Sequence, residues 1–265
     1  MHNFEYLRPQ SVGDAAKLLT SKPEAKLLAG GHTLLPTMKQ RLAAPKAIID
    51  LGRVAELKGI ERKGSALVIG AMTTHAEVAE SGVVKSTIPG LAALAGMIGD
   101  PQVRHRGTIG GSVANNDPAA DYPAALLALN ATVVTNKREI KADAFFKGLF
   151  GTALQDGEII TRISFPVPAK FAYSKFPNPA SRYALVGVAV AQTGGETRVA
   201  VTGAGSNGVF RLTAAETALA KGWSADALKG ISGNASQMIT DIHGDAAYRA
   251  HLVGVMARRA VAAAG

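Results

Sequence analysis

The chain has 265 residues, no cysteine and a formal net charge of +9, from 29 Lys and Arg against 20 Asp and Glu. The absence of cysteine excludes a disulfide, a thiolate zinc site, a cysteine nucleophile and a cysteine-ligated iron–sulfur cluster. A content of 18% charged and 47% hydrophobic residues is typical of a folded globular chain with one large domain or two smaller ones. Redox chemistry here would therefore need an organic cofactor, or a metal held by a partner.

The positive charge is scattered along the chain. Its densest group is Arg104, His105 and Arg106, and the aromatic residues, 5% of the chain, form no stacking pattern. A module that binds nucleic acid is therefore the least favoured hypothesis, and an anionic cofactor, an acidic partner or solubility explains the charge as well. The N-terminus lacks a signal core, and no apolar stretch is long enough to span a membrane. We expect a cytoplasmic protein.

Strand and helix patterns alternate over the first two thirds of the chain. A helix is predicted to begin at Ser11, with Asp14 completing an acidic variant of the capping box. Apolar runs and capping residues predict strands over 4–7, 26–29, 47–51, 67–71, 131–135 and 159–165, and further helices over 34–42, 76–79, 91–98 and 121–129.

Prolines at 166, 168, 177 and 179 mark the predicted domain boundary. Strands over 184–192 and 198–202 follow, and then helices over 214–221 and 246–264. Strands followed by helices indicate an α+β class. We therefore predict two domains, residues 1–168 and residues 169–265.

Two glycine pairs are the strongest local signals. Ala29-Gly30-Gly31-His32-Thr33 follows a predicted strand, and Thr108-Ile109-Gly110-Gly111-Ser112 forms a second turn. Successive N–H groups in such turns can form a nest for an anion, and hydroxyl groups add hydrogen bonds to phosphate oxygens. Each turn alone fits a tight strand-to-helix connection equally well. Neither has the spacing of a Rossmann fingerprint or a Walker loop.

The combination of motifs resembles a known family. Residues 28–42 (LAGGHTLLPTMKQRL) and 99–112 (GDPQVRHRGTIGGS), continued by 116–121 (NDPAAD), are similar to the two FAD loops of the flavoprotein (medium) subunits of molybdenum hydroxylases, the carbon monoxide dehydrogenase and xanthine dehydrogenase type. Residues 69–75, 178–188 and 201–205 resemble further segments of these subunits. The resemblance runs from Phe4 to about Leu219.

The resemblance implies a two-part FAD-binding domain of the vanillyl-alcohol-oxidase (PCMH) type, followed by a small α+β domain with an antiparallel sheet and helices. It also implies two partners, a large subunit with the molybdenum cofactor and a small subunit with [2Fe–2S] clusters, in a heterohexamer. The missing cysteines fit this division, because the clusters then belong to another chain.

Site residues are carried over where the motifs match. Residues 29–33 and 108–112 would bind the FAD pyrophosphate through backbone N–H groups. Asp121 would contact FAD, although a helix N-cap is the alternative. Lys175 would lie near the flavin, or else be a solvated lysine. Ile98 and Ile160 would line the site, although core packing explains both.

An aromatic side chain is expected against the flavin ring. Tyr183 is the candidate and Phe176 its rival, with ordinary core packing open for either. His32 and His75 are expected to be hydrogen-bonded loop histidines and not covalent flavin ligands. The residues from Arg104 to Arg106 would face phosphates or a partner, or form a solvated turn.

The predicted function is that of an FAD subunit. It would accept electrons from a partner's iron–sulfur clusters and pass them through noncovalent FAD to NAD, a quinone or oxygen. The alternative is a self-contained flavin-dependent oxidase or reductase of the same broad fold. The sequence names neither the substrate nor the electron acceptor.

Overall fold

The first fifty residues build a small parallel sheet. In the computed structural model, which describes residues 1–265, they form β1 (Glu5–Leu7), α1 (Val12–Ser21), β2 (Ala25–Leu28), α2 (Leu34–Lys39) and β3 (Ala47–Asp50). The strand order is β1-β3-β2, and both pairings are parallel. Ser11 caps α1 as predicted, since its Oγ accepts a hydrogen bond from the N–H of Asp14 at 3.0 Å.

A second, larger unit follows. Its elements are β4 (Ile60–Lys63), β5 (Ala66–Gly70), α3 (His75–Glu80), α4 (Gly82–Thr87), α5 (Pro89–Gly96), α6 (Pro101–Arg104), α7 (Ile109–Asn115), α8 (Tyr122–Ala128), β6 (Thr132–Thr135), β7 (Glu139–Lys141), α9 (Ala142–Phe145) and β8 (Ile160–Pro166). The strands form an antiparallel sheet in the order β4-β5-β8-β6-β7, and the core also contains the apolar helices α5 and α8.

The remaining residues form a four-stranded antiparallel sheet in the order β12-β11-β10-β9 and two helices. None of the helices in the chain has the length and apolar character that a membrane crossing requires. The elements are β9 (Lys170–Pro177), β10 (Ala184–Thr193), β11 (Glu196–Thr202), β12 (Phe210–Arg211), α10 (Thr213–Lys221) and α11 (Ala246–Ala264).

The two faces of this C-terminal sheet belong to different cores. Because side chains alternate along a strand, the small residues of β10 and β11 face α8, and the valines face α10 and α11. The alanines are Ala189, Ala191 and Ala200; the valines are Val186, Val188, Val190, Val199 and Val201. The C-terminal sheet is therefore packed directly on the preceding unit.

One predicted helix is shorter in the structure, and strands β4, β7 and β9 occur where none is predicted. The helix predicted over 34–42 ends at Lys39, and Arg41 adopts a left-handed conformation with φ 61°. Strands β4 and β7 have mostly exposed, charged sequences and give no apolar signal. β9 lies within the proline-rich segment, where it forms the sheet edge and its last proline removes no essential hydrogen bond.

Candidate functional site

A cleft of about 830 Å³ lies where the three units meet. It is lined by the first glycine loop, by the start of α7 and by the segment before β10. All predicted site residues line it except Ile109 and Lys175. The residues that do are Ala29, Gly30, Gly31, His32, Thr33, Ile98, Thr108, Gly110, Gly111, Ser112, Asp121, Ile160 and Tyr183.

The first glycine loop presents unpaired donors to this cleft. The N–H groups of the four residues from Gly30 to Thr33 donate no hydrogen bond within the protein. Gly31 has φ +79°, a left-handed conformation of the kind that occurs in anion-binding nests of successive N–H groups. Such a run can bind an anion, because all four N–H groups are free to donate hydrogen bonds to it.

The second glycine loop differs in its hydrogen bonding. The N–H of Ile109 donates to Thr73 O at 3.0 Å, and that of Gly110 donates to Ala71 O at 2.9 Å. The N–H of Gly111 donates to Thr108 Oγ1 at 3.1 Å. These amides are engaged within the protein, so they are not free for the pyrophosphate contacts that the resemblance implies. Ile109 is also fully buried.

Glycine is required where the two loops meet. A Cβ atom on Gly30 would lie 2.2 Å from Arg106 O and 2.8 Å from the Cα of Gly107. Both neighbours are backbone atoms, which cannot rotate away as a side-chain tip can. Gly30 therefore places the first loop directly against the second.

Several polar side chains of the cleft have no hydrogen-bond or ion-pair partner in the protein. Ser112 and Asn115 lie on α7, and Lys26 and Arg182 are the only Lys and Arg residues in the lining. Lys26, Asn115 and Arg182 are not among the residues that the sequence predicts at the site. The alternation along β2, which turns Lys26 and Leu28 to one face, is the signal that points to Lys26.

Asp121 and Lys175 form a buried ion pair under the cleft. Lys175 Nζ lies 3.0 Å from Asp121 Oδ2 and 3.1 Å from Met97 O, and its side chain is 2% exposed. Tyr173 donates its hydroxyl to the other carboxylate oxygen of Asp121. Asp121 occupies the N-cap position of α8 but makes no side-chain capping hydrogen bond there, and Lys175 is not a solvated lysine.

Tyr183 and Phe176 occupy different environments. Tyr183 lines the cleft and is half exposed, whereas Phe176 packs edge-on against Tyr248, with ring centroids 6.3 Å apart, at the C-terminal core. Only Tyr183 is placed to stack on a ligand in the cleft.

The residues from Arg104 to Arg106 and His75 have different surroundings in the structure. Arg104 donates to Ile98 O and Gly99 O, so it fixes the local chain, while His105 and Arg106 are exposed outside the cleft. Burial, together with the nearby His32 and Arg104, lowers the pKa of His75 to about 4, so His75 is neutral at pH 7.

Glu158 supports the wall of the cleft from a buried position. Its carboxylate accepts hydrogen bonds from Arg138 at 2.9 and 3.1 Å, from Thr135 at 2.8 Å and from the N–H of Gln155 at 2.8 Å. The Arg138 hydrogen bonds lower the pKa of Glu158 to about 2 against the opposing effect of burial, and the other two donors assist.

We expect Glu158 to make the fold acid-sensitive. Because its pKa is depressed from 4.5 in the folded state, the stability it adds is complete above pH 4.5 and is lost as the pH falls toward 2. Urea unfolding of the flavin-free protein should show a loss on the order of 3 kcal/mol in this range. Glu158→Gln should lack that loss and be less stable at pH 7.

Glu61→Gln is the matched control, because Glu61 is an exposed residue whose ion pair with Lys63 is half solvated. It should behave like the wild type at every pH. An unchanged acid profile in Glu158→Gln would contradict the assignment.

These features fit FAD. The unpaired N–H run suits a pyrophosphate, and Ser112, Lys26 and Arg182 add donors and positive charge around it. Apolar lining comes from two separate cores, with Leu51, Met72 and Ile159 from the first and Ile98 and Ile160 from the second. Ala120 and Tyr183 add further apolar surface. A molecule with a central diphosphate and a planar ring at each end matches this distribution. No group of three or more potential metal ligands occurs in the chain.

Comparison with known proteins gives the same result for both parts of the chain. Residues 2–168 match the family described as the FAD binding domain in molybdopterin dehydrogenase, and residues 171–264 match the CO dehydrogenase flavoprotein C-terminal domain. The carbon monoxide dehydrogenase medium chain of Hydrogenophaga pseudoflava is 38% identical, over 98% of this chain and 96% of the relative.

Two further similarities extend the comparison. The nicotine 6-hydroxylase medium subunit of Paenarthrobacter nicotinovorans is 37% identical, over 99% of this chain and 97% of the relative. The structure of reconstituted CO dehydrogenase from Oligotropha carboxidovorans contains a chain that superimposes with a TM-score of 0.90 at 35% identity, over 99% of this chain and 98% of that one. The chain therefore belongs to the FAD-binding medium subunits of the molybdenum hydroxylase family, a family of oxidoreductases.

Proposed function

We propose that this chain carries electrons from the iron–sulfur clusters of a small partner subunit to an external acceptor, within a cytoplasmic heterohexamer whose large subunit holds the molybdenum cofactor. The observation that carries the proposal is the run of unpaired N–H groups from Gly30 to Thr33 at a cleft that fits FAD. Bound FAD supplies the redox chemistry, accepting electrons and releasing them to NAD, a quinone or oxygen.

The residues of this chain would bind and orient the cofactor. The first loop would hold the pyrophosphate through its N–H groups, and Ser112 and Thr108 would add hydroxyl groups from the second loop. Ile98, Ile160 and Tyr183 would contact the ring systems, with Tyr183 stacked on the flavin. Asp121 would contact the cofactor directly, and Lys175 would act through Asp121, because it does not reach the cleft.

The assembled complex provides the test of electron transfer. Its iron–sulfur clusters are reduced chemically, and reduction of NAD, a quinone and oxygen is followed with FAD present and after FAD removal. We expect acceptor reduction to stop without FAD while the clusters still become reduced. Equal acceptor reduction in the flavin-free complex would contradict the proposal, and turnover of an organic substrate by this chain alone would favour the self-contained flavin enzyme.

We expect FAD to be bound without a covalent bond. His75 is 5% exposed and packs against Gly107, where an added Cβ would lie 2.6 Å from its Nε2. His32 lines the cleft, and we expect retention of the flavin not to depend on it. Acid precipitation should leave the yellow colour in the supernatant; colour that stays with the precipitated protein would show a covalent link.

A further inference from the structure

Two residues of the C-terminal strand β9 hold the carboxylate of Asp121 from below the cleft. Tyr173 and Lys175 are two residues apart, so their side chains leave the strand on the same face. The Tyr173 hydroxyl donates to Asp121 Oδ1, and Lys175 Nζ donates to Oδ2 at 3.0 Å. Tyr173 is 8% exposed and does not line the cleft, whereas Asp121 does.

The neighbouring strand fixes the position of the Tyr173 hydroxyl. Gly187 lies opposite Lys175 in the register of β9 and β10. A Cβ atom on Gly187 would lie 2.1 Å from Tyr173 Oη and 2.9 Å from the Thr202 side chain. Glycine at this position therefore makes the space that the phenol occupies beside Asp121.

The same sheet also holds the backbone that leads to Asp121. Thr202 Oγ1 donates to Pro118 O at 3.1 Å and to Ala120 O at 2.6 Å, and the N–H of Gly203 donates to Pro118 O at 2.8 Å. The segment before Asp121 is thus held by β11 and the carboxylate by β9. The C-terminal sheet determines how this acidic group faces the cleft.

The Asp121 carboxylate can still accept hydrogen bonds from a ligand. An ionised carboxylate has about four acceptor positions, and Tyr173 and Lys175 use one on each oxygen. The titratable groups near Asp121 are Lys175 and Tyr173 from β9, the adjacent Tyr122, and Tyr183 in the lining of the cleft. Burial raises the pKa of Asp121, and Lys175 and Tyr173 oppose that rise.

We propose that Tyr173 is a positioning residue of the cofactor site, whose hydroxyl acts with Lys175 to hold the Asp121 carboxylate so that its free lone pairs accept hydrogen bonds from the bound cofactor. The inference rests on the proposed FAD site. It gives the C-terminal domain a part in the cofactor site that acts through Asp121, in a cleft that the preceding domain mostly lines.

Tyr173→Phe tests this role, with Tyr122→Phe as the matched control. Tyr122 is the residue next to Asp121, and its buried hydroxyl has no hydrogen-bond partner, so the control removes the same atom without removing a contact to Asp121. Infrared spectra of the flavin-free protein between pH 5 and 8 report the carbonyl stretch of a protonated carboxylic acid. FAD affinity is measured separately by quenching of flavin fluorescence.

We expect Tyr173→Phe to show the protonated-acid band at a higher pH than the wild type and to bind FAD about tenfold more weakly. Tyr122→Phe should match the wild type in both measurements. In an Asp121→Asn background the Tyr173 substitution should add little to either, because its target carboxylate is absent.

A Tyr173→Phe spectrum and affinity equal to those of Tyr122→Phe would overturn the proposal, and so would an additive effect in the Asp121→Asn background. A shifted band with unchanged FAD affinity would also overturn it, since Asp121 would then not act on the cofactor. Wild-type protein that binds no FAD would instead refute the proposed function itself, while the infrared comparison would still report whether Tyr173 controls Asp121.

Discussion

Replacement of Gly30 by alanine is expected to abolish tight FAD binding while the protein stays folded. The added Cβ atom would meet Arg106 O at 2.2 Å, so the two glycine loops would have to separate. The second loop is fixed to its neighbours, for example by the bond from the N–H of His75 to Gly107 O at 2.9 Å. The first loop must therefore move, and its N–H groups with it.

The expected loss is large because several charge-assisted hydrogen bonds to phosphate change together. We expect the dissociation constant of FAD to rise roughly 100-fold, which is about 3 kcal/mol. Titration of flavin-free protein with FAD measures this, and circular dichroism checks the fold. Gly31 is a less suitable target, because its φ of +79° strains any replacement whatever the ligand requires.

Gly82→Ala is the control for a glycine in this domain. An added Cβ atom at Gly82 has no neighbour within 4 Å, so FAD affinity should not change. Tight FAD binding by Gly30→Ala, or an equal loss in Gly82→Ala, would contradict the role given to the contact between the loops.

Lys175→Met is expected to cause the largest loss of stability among the site variants. The substitution keeps most of the side-chain volume but leaves the Asp121 carboxylate buried without its cation. Removal of one member of a buried ion pair typically costs about 3 kcal/mol or more. Urea unfolding of flavin-free protein at pH 7 measures the change.

The double variant Lys175→Met/Asp121→Asn separates this cause from simple loss of packing. Without the carboxylate no buried charge is left unpaired, so much of the stability should return. Lys147→Met, at an exposed lysine without an ion pair, should be close to neutral. If the double variant is no more stable than Lys175→Met, the ion pair is not the source of the effect.

Elements with a strong local signal were predicted well. The helix predicted over 246–264 matches α11 from end to end, because Asp245 caps a run that is rich in Ala and Arg and contains no proline. The short strands β4 and β7 were missed, since their sequences, IERK and EIK, are stabilised by pairing with neighbours and not by an apolar pattern. β9 was missed because prolines flank it.

The site was predictable in part, because its two loops also carry a strong local signal. Glycine pairs and the resemblance identified the two loops, but only the structure shows that the first loop has free N–H groups and that the second has mostly engaged ones. Lys175 was identified by resemblance alone. Its pairing with Asp121 joins residues 54 positions apart, a contact that no local pattern specifies.

Comparison of FAD with riboflavin tests the central claim most directly, because the two ligands share the flavin ring and differ in the pyrophosphate and adenosine. If the N–H groups from Gly30 to Thr33 hold a pyrophosphate, calorimetric titration of the flavin-free chain should show one FAD bound per chain, at least 100-fold weaker binding of riboflavin, and competition by ADP. Equal affinities for FAD and riboflavin, or no binding of FAD, would contradict the account.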